Sequence, residues 1–478
     1  MSVLHKVGRQ VKYEPVEASP VKSFFVSMLT RDIKLEEAIL DLLDNCVDGI
    51  LRSPKRKNQE KPFAGFKADI VFNKDLFMIT DNCGGIPWNL HEYAFRMGRS
   101  SDRPEDAPGT VGVYGIGMKR AIFKMGKDCL ISTRNGTDRY EVEIKPEWIA
   151  DETNWKIPVN AARKTMGEDG TEIVIGDLYA GISSRFGEDV KAFKAELERM
   201  VATHYAFIID KGFTVRINGD IVKQYPTRLV FSKQSQGKEA HAIRPFIFKA
   251  TTEDGVEIFV TVGFTRPIPS LDEIENEQDE RQYSSIDAGW TIICNDRAVV
   301  YCDRSELTGW GEAGVPRYHN QFIAISGIVE FKSDDASKLP TTTTKRGIDA
   351  SSPLYLQIKN KMREGMRLFT DYTNKWKTRA DESKKQISAG KLLSLDEIKV
   401  EAESLPFAAT KRTIPQGDQY RPELPMPKQL EPHNRRISFI KGVDEIKCVS
   451  KYLFDDDEKE PSIVGEKCFD LILREARK

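Results

Sequence analysis

Four short segments of this chain carry residue types with chemistry to offer. The first is Asp41-Leu42-Leu43-Asp44-Asn45-Cys46-Val47-Asp48. On a helix, Asp41, Asn45 and Asp48 stand at i, i+4 and i+7, so two carboxylates and an amide share one face. An amide oxygen between carboxylates suits Mg²⁺; the same spacing also describes the solvated side of an ordinary amphipathic helix. The second segment, Asp81-Asn82-Cys83-Gly84-Gly85-Ile86-Pro87, has the composition of a turn after a strand. The third, 109–119, places Gly109, Gly112, Gly115 and Gly117 ahead of Lys119. Glycines before a helix expose main-chain N–H groups and the positive helix end, which favour phosphate. Their spacing matches neither the P-loop nor the dinucleotide fingerprint. The fourth, Gly170-Thr171-Glu172-Ile173-Val174-Ile175, is a threonine at the head of a β-branched strand.

These segments need elements to hold them. Residues 34–50 carry Leu35, Ala38, Ile39, Leu42, Leu43, Cys46, Val47 and Ile50 at helical spacing, which predicts an amphipathic helix. Strands are expected at 68–72 and 76–80, and at 129–133 and 140–144 around an Asn135-Gly136 turn. Residues 98–110 read as a polar loop, followed by a helix at 118–125. From 188 the pattern restarts: a helix to 204, strands at 214–217, 221–224, 242–248, 256–264, 290–294, 298–302 and 321–331, then a long helix at 354–376. Residues 359–391 are basic, 405–432 are rich in proline and read as a linker, and 444–454 and 461–477 suggest two last helices. The expected division is 1–184, 185–350, 351–404, 405–435 and 436–478.

Composition excludes much and identifies nothing. The length of 478 residues suits about three domains, or two with extensions. Lys and Arg number 72 against 73 Asp and Glu, which argues against a uniformly basic nucleic-acid binder. Seven cysteines and six histidines lie scattered, without a metal-binding spacing or a disulfide framework. No run approaches the ~18 apolar residues of a membrane span, and a cytoplasmic location is expected.

Read together, the four segments resemble the GHKL ATPases: gyrase-type topoisomerases, heat-shock-ninety chaperones, histidine kinases, MutL proteins and MORC ATPases. The resemblance covers about 25–180 and implies an α/β (α+β) Bergerat-type sandwich that holds ATP and Mg²⁺ under a lid. By that resemblance Asn45 binds Mg²⁺, Asp41 is the general base and Asp48 orders the polar network. Asp81 reads the adenine amino group, Gly85 makes room for the base and Thr171 supports Asp81. The lid runs from Gly98 to Val111; Gly112, Tyr114, Gly115, Ile116 and Gly117 approach the phosphates, with Lys119 as counter-charge. Two positions depart from the pattern. Asp41 stands where hydrolysing members usually carry Glu, one methylene longer, and Glu37 is a candidate helper. Cys83 replaces the first glycine of the turn.

The second α/β unit is similar to the transducer domain of MORC proteins. Its segment from Lys338 through four threonines to Lys345 implies a lysine that senses the third phosphate, with Arg346 as the other candidate. A helical C-terminal extension follows. The resemblance implies an ATPase that dimerises on ATP and acts on DNA or a protein partner, with no membrane association. The shortened base leaves open a second reading, a nucleotide-dependent sensor or scaffold with negligible turnover. The hairpin with Trp290 and Arg297, and Trp310 after it, read as packing or as a contact surface.

Overall fold

The computed structural model describes residues 21–56, 61–98, 115–163, 166–224, 226–232, 242–270, 288–342, 347–410, 415–427 and 436–478. Within the first unit, 1–426, alternating burial along Lys67–Phe72 (β1) and Phe77–Asp81 (β2) folds them as an antiparallel hairpin. Gly126–Asn135 (β3), Asp138–Ile144 (β4), Val159–Ala161 (β5) and Gly170–Leu178 (β6) extend this sheet on the β2 side. Thr214–Ile217 (β7) and Asp220–Ile221 (β8) add to its other edge, β7 running parallel to β1. The eight strands lie in the order β5-β4-β3-β6-β2-β1-β7-β8. The sheet therefore crosses the expected division at 184, because the apolar pattern of 214–217 fits the open edge of β1. The strand expected at 221–224 is only the short β8.

Helices Lys22–Arg31 (α1), Leu35–Arg52 (α2), His91–Phe95 (α3), Gly117–Met125 (α4) and Pro146–Ala150 (α5) belong to this layer. The apolar stripe of α2 is buried along its whole length and shares one core with the sheet. Helix α2 packs on α4 and on Val190–His204 (α7), which follows Ala180–Gly187 (α6). Helix α7 and the short Ala206–Asp210 (α8) also touch the second sheet, so α7 is shared between the two halves.

Leu229–Phe231 (β9), Phe246–Thr251 (β10), Glu257–Phe264 (β11), Gly289–Cys294 (β12), Arg297–Asp303 (β13) and Ile325–Lys332 (β14) precede the long helix Pro353–Trp376 (α9). After Ala380–Ser388 (α10) come Lys391–Leu393 (β15), which pairs β9, and Leu395–Ala402 (α11). Ala408–Thr410 (β16) and Gly417–Tyr420 (β17) complete a seven-stranded sheet, β13-β12-β14-β11-β10-β17-β16, mixed because β12 and β14 run parallel. The proline-rich stretch expected as a linker thus contributes two strands. Helix α9 buries Tyr355, Ile358, Met362, Met366, Phe369, Tyr372 and Trp376 on one face, packed against β10, β11 and β14. Trp290 and Trp310 are both buried in this second core.

The β12–β13 hairpin turns through Asn295 and Asp296, both at positive φ (48° and 67°), the geometry of a tight two-residue turn. The Asn295 amide exchanges two 3.0 Å hydrogen bonds with the backbone of Ser333, and Asp296 pairs with Lys211 at 2.7 Å. The next residue, Arg297, is buried and reaches across to Asp44 of α2. Removing one partner of such a buried pair typically costs about 3–5 kcal/mol.

The second unit, 427–478, contains Val443–Phe454 (α12) and Pro461–Ala476 (α13), packed on each other with Val464 buried. Asp455 ends α12 at φ 56°. Among the described residues no helix is long and apolar enough to cross a membrane.

The second core makes one sharp prediction. A methyl group on Gly327 would lie 2.4 Å from the ring of Trp290, its register partner on β12. Gly327→Ala is expected to destabilise the fold by about 1–3 kcal/mol, read as a lower denaturant midpoint with an unchanged slope.

Candidate functional site

A cleft opens between α2, the turn after β2, the residues around α3 and the start of α4. Its lining includes Asp41, Asn45, Asp48, Asp81, Gly85, Gly115, Ile116, Gly117, Lys119 and Thr171. Ten of the sequence-selected residues therefore meet in one place, from segments up to 130 positions apart. Gly98 lies outside the lining; it is described, at φ 91°. Gly112, Tyr114, Lys345 and Arg346 lie outside the described residues. The stems around the last two meet through Thr341–Ile348 pairing and a 3.0 Å bond from the Thr342 N–H to the Gly347 carbonyl.

At the closed end stands Asp81. Its Oδ1 accepts the Cys83 N–H at 2.7 Å, its Oδ2 lies 3.6 Å from the Cys46 thiol, and the Thr171 N–H donates to the same carboxylate. Burial pushes the Asp81 carboxyl up to about 6, and these hydrogen bonds hold it from rising further. Its contact with Cys83 and its own burial push the Cys46 thiol well up, and burial raises that of Cys83, so both thiols stay protonated. The Thr171 hydroxyl lies 3.4 Å from that of Thr133 on the neighbouring β3.

The turn explains why Cys83 can stand where the family pattern has glycine. Positive φ falls on Gly84 (108°) and Gly85 (69°), not on residue 83. Gly85 also needs to be glycine for a reason other than room for a base. A Cβ there would lie 2.0 Å from the Arg134 carbonyl, so the turn presses directly on the β3 backbone.

Along α2, Asp41 and Asp48 are buried while Asn45 is exposed within the cleft. Asp41 is not a carboxylate facing only water. Its Oδ2 pairs at 2.5 Å with Arg120 of α4, a residue that the sequence did not single out. A signal existed: Arg120 stands three residues after Gly117, the spacing that turns it toward the same neighbour. Gly117 itself lies against Asp41, a Cβ there falling 3.3 Å from the Asp41 side chain. Glu37 does not line the cleft; its carboxylate accepts the Lys34 N–H at the start of α2. Lys119 also lines the cleft. It is buried, and its ammonium donates to the Ala94 carbonyl in α3 at 2.7 Å.

The donor set fits Mg²⁺ in one respect. Among the described residues no group of three His, Cys, Asp or Glu is placed to hold a metal. Mg²⁺ keeps most of its waters and takes few protein ligands beside phosphate oxygens, so a single amide such as Asn45, exposed in the cleft, is sufficient. Part of the basic stretch 359–391 is paired within the chain. Lys359 and Arg363 both pair with Glu312, Lys361 with Glu364, and Arg379 with Glu382. Arg52 lines the cleft.

A search of curated proteins found no match to this chain. A scan against protein-family models matches residues 33–173 to the family described as histidine kinase-, DNA gyrase B-, and HSP90-like ATPase. The cleft lining runs from Asp41 to Ile173, inside that span. Residues 33–173 are thus similar to the GHKL-type ATPase domain, and the cleft described lies within the matched span.

Proposed function

We propose that this cleft binds ATP with Mg²⁺ and hydrolyses it, and that the cycle drives a conformational change and self-association on a DNA or protein partner, in the MORC or chaperone manner. The convergence of Asp81, Thr171, Asn45 and the α4 glycines on one cleft carries this reading. Asp81 accepts a hydrogen bond from the adenine 6-amino group, while the Cys46 and Cys83 contacts and the Thr171 N–H keep its carboxylate aimed. The N–H groups of Gly115, Ile116 and Gly117, at the positive end of α4, receive the phosphates, with Gly112 and Tyr114 just after the lid. Asn45 holds Mg²⁺, which supplies charge neutralisation at the phosphate oxygens, and Asp48 steadies the water network. Asp41 takes the proton of the attacking water. Lys345 brings a cation to the third phosphate and links its loop to nucleotide state.

Arg120 favours a second reading, the sensor with negligible turnover. A carboxylate oxygen engaged by a guanidinium is not free to meet an attacking water, and Asp41 is already one methylene short. In the hydrolytic reading, the phosphates draw Arg120 away, since it stands one turn from the glycines that receive them.

Two outcomes follow. Ionised Asp81 is the stronger acceptor, so ATP affinity is full well above pH 6 and falls as pH drops through about 6, by at most tenfold per unit. Calorimetric titration between pH 5 and 8 checks this; Asp81→Asn is expected to weaken ATP by about 10–100-fold and to flatten the profile. Asp41→Glu separates the two readings. Faster phosphate release in this variant is the expected result, with ATP affinity held; an unchanged rate in both proteins, at or near zero, favours the sensor.

A further inference from the structure

We infer that Arg297 is a positioning residue for the cleft, and that the tip of the β12–β13 hairpin is the lever by which nucleotide occupancy reaches the second sheet. The inference rests on the ATP reading above. Helix α2 shows Asp41, Asn45 and Asp48 to the cleft and turns Asp44, next to Asn45, to its buried side. There Arg297 Nη1 binds Asp44 Oδ2, with both side chains about 1–2% exposed. The Tyr205 hydroxyl lies 2.6 Å from Asp44 Oδ1 and 2.8 Å from the Leu40 carbonyl, so the joint between α7 and α8 grips the same turn of α2. A helix moves as a unit in a close-packed core, and a shift that serves the cleft face must also move Asp44.

At the other end, Arg297 cannot simply swing aside. It directly follows the turn residues Asn295, bonded to Ser333, and Asp296, paired with Lys211. Ser333 follows β14 and opens the segment that leads toward Lys345. The contact is also incomplete. Arg297 Nε and Nη2 are buried and have no hydrogen-bond partner among the described residues, an uncommon condition for a guanidinium. A two-armed Arg–carboxylate fork is stronger than a one-armed contact. A small displacement of α2 against the hairpin thus has a second arrangement to reach, and ligand in the cleft can bias the two.

The test is hydrogen exchange of the full chain with and without Mg²⁺ and a non-hydrolysable ATP analogue, in wild type, Arg297→Met, Arg297→Lys and Gly327→Ala. Expected is analogue-dependent slowing in β12–β14 of the wild type and of Gly327→Ala, which is destabilised within the second core but keeps the Arg297–Asp44 pair. Arg297→Met is expected to lose that slowing and about tenfold in turnover while binding the analogue within about threefold, with Arg297→Lys between. If Arg297→Met does not fold, loss of the slowing in the charge-retaining Lys variant supports the inference in its place. Analogue-dependent slowing that survives in both Arg297 variants reduces the pair to a structural one and overturns the inference alone. Failure of the wild type to bind the analogue overturns the ATP reading with it.

Discussion

Helix α2 has to keep four carboxylates out of water: Glu36, Asp41, Asp44 and Asp48 are all buried. A buried charge is tolerated only with a partner, and the partners come from separate parts of the chain. Arg185 of α6 meets Glu36, Arg120 of α4 meets Asp41, and Arg297 of β13 meets Asp44. Each pair fixes a different neighbour against the same helix. The position of α2 relative to α4, the sheet and the second half of the molecule is therefore set by ion pairs as well as by its buried apolar stripe. Such pairs add less to net stability than their number suggests, because desolvation offsets most of the attraction. Their contribution here is orientation.

That arrangement also explains why the cleft and the second sheet are not independent. The helix that presents Asn45 is the helix that Arg297 holds, and the closed end of the cleft is built from the same helix through the Cys46–Asp81 contact. Cys83 fits this scheme through its side chain, which is buried against α2. A Cβ on Gly49 would lie 2.6 Å from the Cys83 carbonyl, so the helix and the turn are already in contact.

Local regularities were legible in the sequence. The α2 stripe, the hairpins at 67–81 and 126–144, the long α9 and the last two helices all follow from apolar spacing and turn residues. So did the meeting of Asp41, Asn45, Asp81 and Thr171, because residue type, order and spacing together resemble one superfamily. What was not legible depends on partners distant in sequence. Nothing local marks Arg297 as the ion-pair partner of a residue 253 positions away, or β7 as a parallel neighbour of β1. Proline content hid β16 and β17, which survive because the prolines (Pro406, Pro415, Pro422) flank the two strands and neither contains one. Lys119 and Arg120 look interchangeable as cations; only the helix phase, set by packing, sends one to Ala94 and the other to Asp41.

The central claim is that this cleft recognises adenine nucleotide through Asp81. Equilibrium titration of the full chain with ATP and with GTP, each with and without Mg²⁺, tests it most directly. The account predicts saturable ATP binding, strengthened by Mg²⁺, and far weaker GTP binding, because GTP places a carbonyl oxygen where the carboxylate needs a donor. Equal affinity for the two nucleotides, or no binding of ATP, would contradict it.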